Sequence, residues 1–107
     1  MIHVIVADDQ ALIRGALSAL IDLEDDMHVV AQAADGREAI AAVEAYDAEN
    51  SSGDQAAKAA STLVVIMDVE MPVIDGISAA AALKERGANA RVLMVTTFGR
   101  PGYVQRA

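Results

Sequence analysis

The sequence predicts an α/β fold built on a parallel sheet, and three observations carry that expectation. Apolar runs of strand length recur at residues 2–7, 27–33, 63–67 and 91–95. Stretches with helical periodicity lie between them, so strand and helix alternate three times and begin a fourth. The two most apolar runs each deliver acid at their carboxyl end: Ile2-His3-Val4-Ile5-Val6-Ala7 into Asp8-Asp9, and Leu63-Val64-Val65-Ile66-Met67 into Asp68. An unbroken apolar run bounded by turn residues reads as a strand buried on both faces.

Each element has its own justification. Residues 2–7 are the first strand. From Gln10 to about Leu23, apolar residues at 12, 13, 16, 17, 20 and 21 make a helical stripe, and Glu24-Asp25-Asp26 closes it as a solvated turn rather than a metal cluster. Met27 to Ala33 is a second, less apolar strand. Asp35 caps the next helix, with Glu38 three residues on as a variant capping box, and Ile40 and Val43 give that helix a thin apolar face. Residues 47–61 contain no large apolar side chain, and Glu49 to Asp54 reads as a mobile loop within an insertion. The third strand, 63–67, is followed by turn chemistry at Glu70, Met71, Pro72, Asp75 and Gly76. A helix from about Gly76 to Arg86 carries Ile77, Ala80, Ala81 and Leu83, with Gly87 as its stop. Arg91 to Val95 is the fourth strand, ending in Thr96-Thr97. Pro101 suits the first turn of a further helix.

Composition narrows the function. A chain of 107 residues makes one domain, spanning 1–107, with a core of small and branched aliphatics, since hydrophobic residues are 54% but aromatics only 3%. A net charge of -8 argues against direct binding to nucleic-acid phosphates. The absence of cysteine excludes disulfides, thiolate catalysis and Cys-ligated zinc. No segment has the roughly 18 apolar residues of a membrane span, and a cytoplasmic location is expected. There is no Gly-x-Ser-x-Gly elbow and no phosphate-binding Gly-rich loop ending in Lys-Ser or Lys-Thr. His3 and His28 each stand alone near a strand start and are expected to be bland.

Open parallel sheets bind ligands outside the carboxyl ends of their strands, where strand order reverses. Asp8, Asp9, Asp68 and Thr96 all fall at such ends. Three carboxylates in one crevice repel one another, and Mg²⁺, a hard oxygen-seeking cation, is the usual resolution.

Together Val6-Ala7-Asp8-Asp9-Gln10, the run Met67-Asp68-Val69-Glu70-Met71-Pro72-Val73-Ile74-Asp75-Gly76 and Val92-Leu93-Met94-Val95-Thr96-Thr97-Phe98 resemble the receiver domain of bacterial two-component response regulators. Order and spacing agree over essentially the whole chain, apart from the segment before the third strand. Asp35-Gly36 and Thr96-Thr97-Phe98-Gly99-Arg100-Pro101-Gly102-Tyr103 are most similar to the nitrate-response subfamily, with a C-terminal helix-turn-helix, and within it to regulators of membrane-lipid desaturation.

The resemblance implies a flavodoxin-like doubly wound sheet and a phosphorylatable switch, not an enzyme beyond self-catalysed phosphotransfer and autodephosphorylation. Asp68 would accept a phosphoryl group from a sensor histidine kinase. Asp9 and Asp68 would bind Mg²⁺ directly, Asp8 mainly through water, with the backbone carbonyl of Glu70 as a further ligand. Thr96 would give its hydroxyl to the phosphoryl group. DNA would be a partner only through the helix-turn-helix domain outside this chain, with no membrane partner. Separately from the resemblance, the fourth strand lacks an outer neighbour in this sequence, and an exposed sheet edge is a template for pairing, so the expectation is a piece of a longer ordered domain or a homodimer formed through that strand and the residues after Gly99.

Two departures stand against the pattern. Residues 47–61 are longer than the family needs, and the chain stops before the fifth strand, the fifth helix and the lysine expected at the phosphoryl site, Lys58 and Lys84 being misplaced for it. Two other functions compete: a receiver-like interaction module without phosphotransfer, and a Mg²⁺-dependent aspartyl-phosphate phosphatase of the haloacid-dehalogenase type. The latter needs Asp two residues after its nucleophile, where this chain has Glu70.

Overall fold

The structure, a computed structural model, describes residues 1–50, 62–88 and 90–95. Its elements run β1 (Ile2–Ala7), α1 (Ala11–Asp22), β2 (Met27–Ala33), α2 (Gly36–Asn50), β3 (Thr62–Asp68), α3 (Gly76–Glu85) and β4 (Ala90–Val95). The four strands form one parallel sheet in the order β2-β1-β3-β4. The alternation expected from the sequence is therefore the observed one. The strands are rich in Val and Ile, whose branched side chains fit a pleated surface covered by helices.

Chain order reverses between β1 and β3. Register pairs Ala7 with Met67, so Asp8 and Asp68, one step further on, leave the sheet side by side. Side chains alternate along each strand. Ile5, Ala7, Leu63, Val65 and Met67 form the main core with Ala39, Ile40 and Val43 of α2 and Ala79 and Leu83 of α3. Val4 and Val6, at the alternate positions of β1, are equally buried and face the α1 side. β2 carries a register shift opposite Val4 and Ile5, where Val30 is the extra residue. Such a bulge turns the strand so that Ala31 and Ala33 join the α2 face.

Three expectations about the helices need correction. The apolar stripe of α1 is narrower than its sequence suggests: Ile13, Leu17 and Ile21 are half-buried, but Leu12 is 85% and Leu20 62% exposed. α1 packs on β1 and β2, and its covered face holds Arg14 and Ser18 beside Ile13, Leu17 and Ile21, which leaves Leu12 and Leu20 on the outer side. Ile77 of α3 also points outward, and Ala79 takes the core position instead. Finally, α2 continues through Asn50, so the first residues of the expected loop are helical. Asp47-Ala48-Glu49 contains no Pro or Gly to stop a helix, and Ala and Glu favour one. Residues 51–61, 96–107 and thus Thr96, Thr97, Phe98, Pro101 and Tyr103 lie outside the described residues.

Helix ends behave as their sequences require. Asp35 accepts the Glu38 N–H at 2.8 Å, while the Glu38 carboxylate reaches back to the Ala34 N–H at 3.0 Å. Gly87, at φ +69°, follows the C-terminus of α3 as the expected stop.

His3 and His28 do not stand alone. They are register partners on neighbouring strands, and the Tyr46 hydroxyl of α2 is hydrogen-bonded to His3 Nδ1 at 2.5 Å. Burial lowers the pKa of His3 from its ordinary 6.5, assisted by His28 and the N-terminal ammonium. The unfolded chain then binds the extra proton first. Stability is full above about pH 6.5 and falls as pH drops from there through the folded pKa. An NMR titration should place the His3 midpoint below that of an unfolded peptide. Thermal melts should show wild type losing more stability than His3→Gln between about pH 7 and about pH 5; equal losses would contradict this assignment.

Candidate functional site

The site is built where β1 and β3 end. Asp8 is 2% exposed and is held from three directions. Its N–H donates to the Ala33 carbonyl of β2 at 3.0 Å, its carboxylate accepts the Gln10 N–H at 2.8 Å, and its carbonyl accepts a hydrogen bond from Arg14 Nη1 at 2.8 Å. Asp68, 1% exposed, is the last residue of β3, and the next N–H, that of Val69, donates to the Val95 carbonyl of β4 at 3.1 Å. One carboxylate oxygen from each of Asp8, Asp9 and Asp68 lies within 4.8 Å of the others. The three are the acids that sequence reasoning placed together. Among the described residues they are the sole group of three or more potential metal ligands.

The loop after β3 is shaped by close backbone approaches. A Cβ on Gly76 would lie 2.1 Å from the Asp68 carbonyl oxygen, so only glycine lets α3 start directly against the strand end. The Gly76 N–H closes that turn on the Val69 carbonyl at 2.9 Å. Asp75 caps α3 by accepting the Ser78 N–H at 2.7 Å, and that hydrogen bond lowers the pKa of its carboxyl. Gly36, at the start of α2, donates its N–H to the Ile74 carbonyl at 3.1 Å, leaving no room for a side chain. The Asp35-Gly36 pair thus ties α2 to the loop that carries Asp68.

Chemically, the cluster offers hard carboxylate oxygens with no imidazole or thiolate among them. Asp68 and Asp8 are sheltered, while Asp9 is the more open member. Glu70 lies two residues beyond Asp68, half-buried, in the same loop. Sequence reasoning passed over Arg14. Its signal was a lone cation in the first turns of a helix that follows two acids directly.

The arrangement has known counterparts. The chain matches the response regulator receiver domain family over residues 4–107. The chain belongs to that family. Two transcriptional regulatory proteins of Bacillus subtilis, YvfU and DesR, are 40% and 39% identical to this receiver domain over all 107 residues, which span 46% of each. The chain thus covers about half the length of these curated relatives. A protein-glutamate methylesterase/protein-glutamine glutaminase of Nitrobacter winogradskyi is 37% identical over 99 residues, 92% of this chain and 20% of that protein. Among solved structures, a LuxR-family DNA-binding response regulator from Staphylococcus aureus superposes with a TM-score of 0.72 at 33% identity, covering all of this chain and 78% of the other. The transcription-regulator subfamily expected from the sequence agrees with these relatives. Phosphorylation on aspartate is typical of the family.

Val73 is the one non-glycine residue at positive φ among those described, at +69° and 72% exposed. An L-residue in that conformation costs roughly 1–2 kcal/mol, and an exposed Val recovers little of this through packing. Glycine adds flexibility to the unfolded chain that offsets part of the gain. Val73→Gly should therefore raise stability by about 0.5–1 kcal/mol. The check is an increased urea midpoint at unchanged slope, and a lowered midpoint would show that the Val side chain is structurally needed.

Proposed function

We propose that this receiver domain accepts a phosphoryl group on Asp68 from the phosphohistidine of a sensor kinase, with Mg²⁺ bound at the acid cluster. In the longer protein the switch would act on a DNA-binding domain. The observation that supports it most is the convergence of Asp8, Asp9 and Asp68 within 4.8 Å at the point where strand order reverses. An all-oxygen donor set suits Mg²⁺ rather than zinc or copper. Asp9 and Asp68 would hold the cation directly, Asp8 through water, and the Glu70 carbonyl would complete the protein ligands. When bound, Mg²⁺ supplies charge neutralisation for the phosphoryl oxygens.

The remaining work falls to the chain. A carboxylate oxygen of Asp68 attacks phosphorus, the P–N bond to the donor histidine breaks, and the imidazole nitrogen keeps the electron pair. The fixed β3 end and the Gly76 turn hold Asp68 so that little reorganisation is needed at that moment. Thr96 would donate its hydroxyl to the phosphoryl group afterwards. The methylesterase relative has four-fifths of its length outside the matched region, so its activity has no counterpart assigned here. Among the described residues no helix is long and apolar enough to cross a membrane. A cytoplasmic location would suit the partners proposed, a kinase and a DNA-binding output.

Acetyl phosphate, a small donor, tests this without knowledge of the kinase. With Mg²⁺ present, mass spectrometry should locate a single phosphate on Asp68, and Asp68→Asn or EDTA should abolish it. Label on Asp75 or Glu70, or label that survives in Asp68→Asn, would overturn the assignment.

A further inference from the structure

We infer that Arg14 is a positioning residue for the acid cluster: by holding the Asp8 carbonyl it restrains the Asp8–Asp9 peptide, and with it the backbone from which the Asp9 carboxylate extends. The inference rests on the Mg²⁺ reading above and adds a residue to it.

The geometry is local and specific. A peptide unit is planar, so restraining the Asp8 carbonyl oxygen restrains the Asp9 N–H and Cα with it. That oxygen lies 2.8 Å from Arg14 Nη1. On either side the chain is already tied, by Asp8 N–H to Ala33 and by Gln10 N–H to the Asp8 carboxylate. The guanidinium adds a restraint on the Asp8–Asp9 peptide itself, between these two points. Arg14 itself is braced: its N–H donates to the Gln10 carbonyl at 2.9 Å, and its carbonyl accepts the hydroxyl of Ser18, which is 5% exposed.

The helix gives no reason of its own for a cation here. The N-terminus of a helix carries partial positive charge, so Arg14 is placed against the macrodipole. α1 has no acidic residue in its first turn, and Gln10 supplies no side-chain cap. What lies beyond that end instead is the three-carboxylate cluster, and the guanidinium reaches back toward it. Two effects of this placement on Mg²⁺ have opposite sign. The positive charge repels an incoming cation, whereas the hydrogen bond preorganises a ligand. Groups that orient metal ligands typically contribute roughly 10–100-fold to affinity, and the short, single-point contact favours that effect.

The test is calorimetric titration of Mg²⁺ into the whole chain as wild type, Arg14→Ala and Arg14→Lys, with thermal melts in EDTA alongside. Arg14→Ala should bind Mg²⁺ at least about tenfold more weakly. Arg14→Lys, which still presents a donor to the same carbonyl, should recover to within about threefold of wild type, a partial loss consistent with a less preorganised donor. A purely structural role would lower the melting temperature and leave the affinity of the folded variant unchanged. Affinity that is unchanged or tighter in Arg14→Ala, or no recovery in Arg14→Lys, overturns the inference while leaving the Mg²⁺ site intact. Arg14→Met, which keeps the stem without the donor, replaces Ala if that variant does not fold. Wild type that binds no Mg²⁺ would overturn the proposed function and this inference together.

Discussion

Three carboxylates within 4.8 Å of one another are costly to assemble, and the rest of this fold is arranged so that they nevertheless meet. Like charges at such separations repel, so ionising all three opposes folding. Two of the acids are also withdrawn from water, Asp8 to 2% and Asp68 to 1% exposure. A structure that tolerates this must either bind a cation or hold the acids in place by force of packing. The parallel sheet supplies the packing. β1 and β3 are its central strands, covered by α2 and α3 on one side, so their carboxyl ends cannot drift apart. The same neighbourhood that makes the three acids costly to assemble would favour a hard divalent cation there.

The second layer of the design is in the loops, and it relies on backbone rather than side chains. Gly76 brings α3 against the Asp68 carbonyl, and Gly36 brings α2 against Ile74 in the same loop. Both contacts are impossible with a Cβ. The Asp35 and Asp75 caps then fix where those helices begin. α1 does for Asp8 and Asp9 what these contacts do for Asp68, but with a side chain, Arg14, reaching back to a carbonyl. The acid cluster is therefore held from three helices that each start at the same edge of the sheet. Strain is concentrated there too, at Val73.

Much of this was legible in the sequence because the signals were local. An apolar run ending in acid identifies both the strand and the end of it that matters, and β1 and β3 follow from that pattern directly. Asp35 and Gly87 were legible as cap and stop for the same reason. What was not legible depended on distance along the chain. Tyr46 meets His3 across 43 residues, and nothing in either segment announces the pairing. Gly36 approaching Ile74 is a contact between backbones, which leaves no trace in side-chain pattern beyond the glycine itself. The outward faces of Leu12, Leu20 and Ile77 escaped because hydrophobic periodicity counts apolar residues without knowing how much sheet is available to cover them. α2 extends past the start of the polar segment because polar residues alone do not end a helix, and residues 47–50 hold no breaker. Thr96 was placed by its strand-end position and lies outside the described residues.

The central claim is that the acids are mutually repulsive and that a cation relieves it, and charge removal at Asp9 tests both halves at once. Asp9 is the least buried of the three, so Asp9→Asn alters charge with little change in packing. Thermal melts of wild type and Asp9→Asn should be compared in EDTA and in saturating Mg²⁺. A ligand present at about ten times its Kd adds roughly 1.4 kcal/mol of stability. The account predicts that Mg²⁺ raises the wild-type melting temperature by several degrees, that Asp9→Asn melts higher than wild type in EDTA, and that it gains little from Mg²⁺. A variant that melts lower than wild type in EDTA, or a wild type indifferent to Mg²⁺, would contradict it.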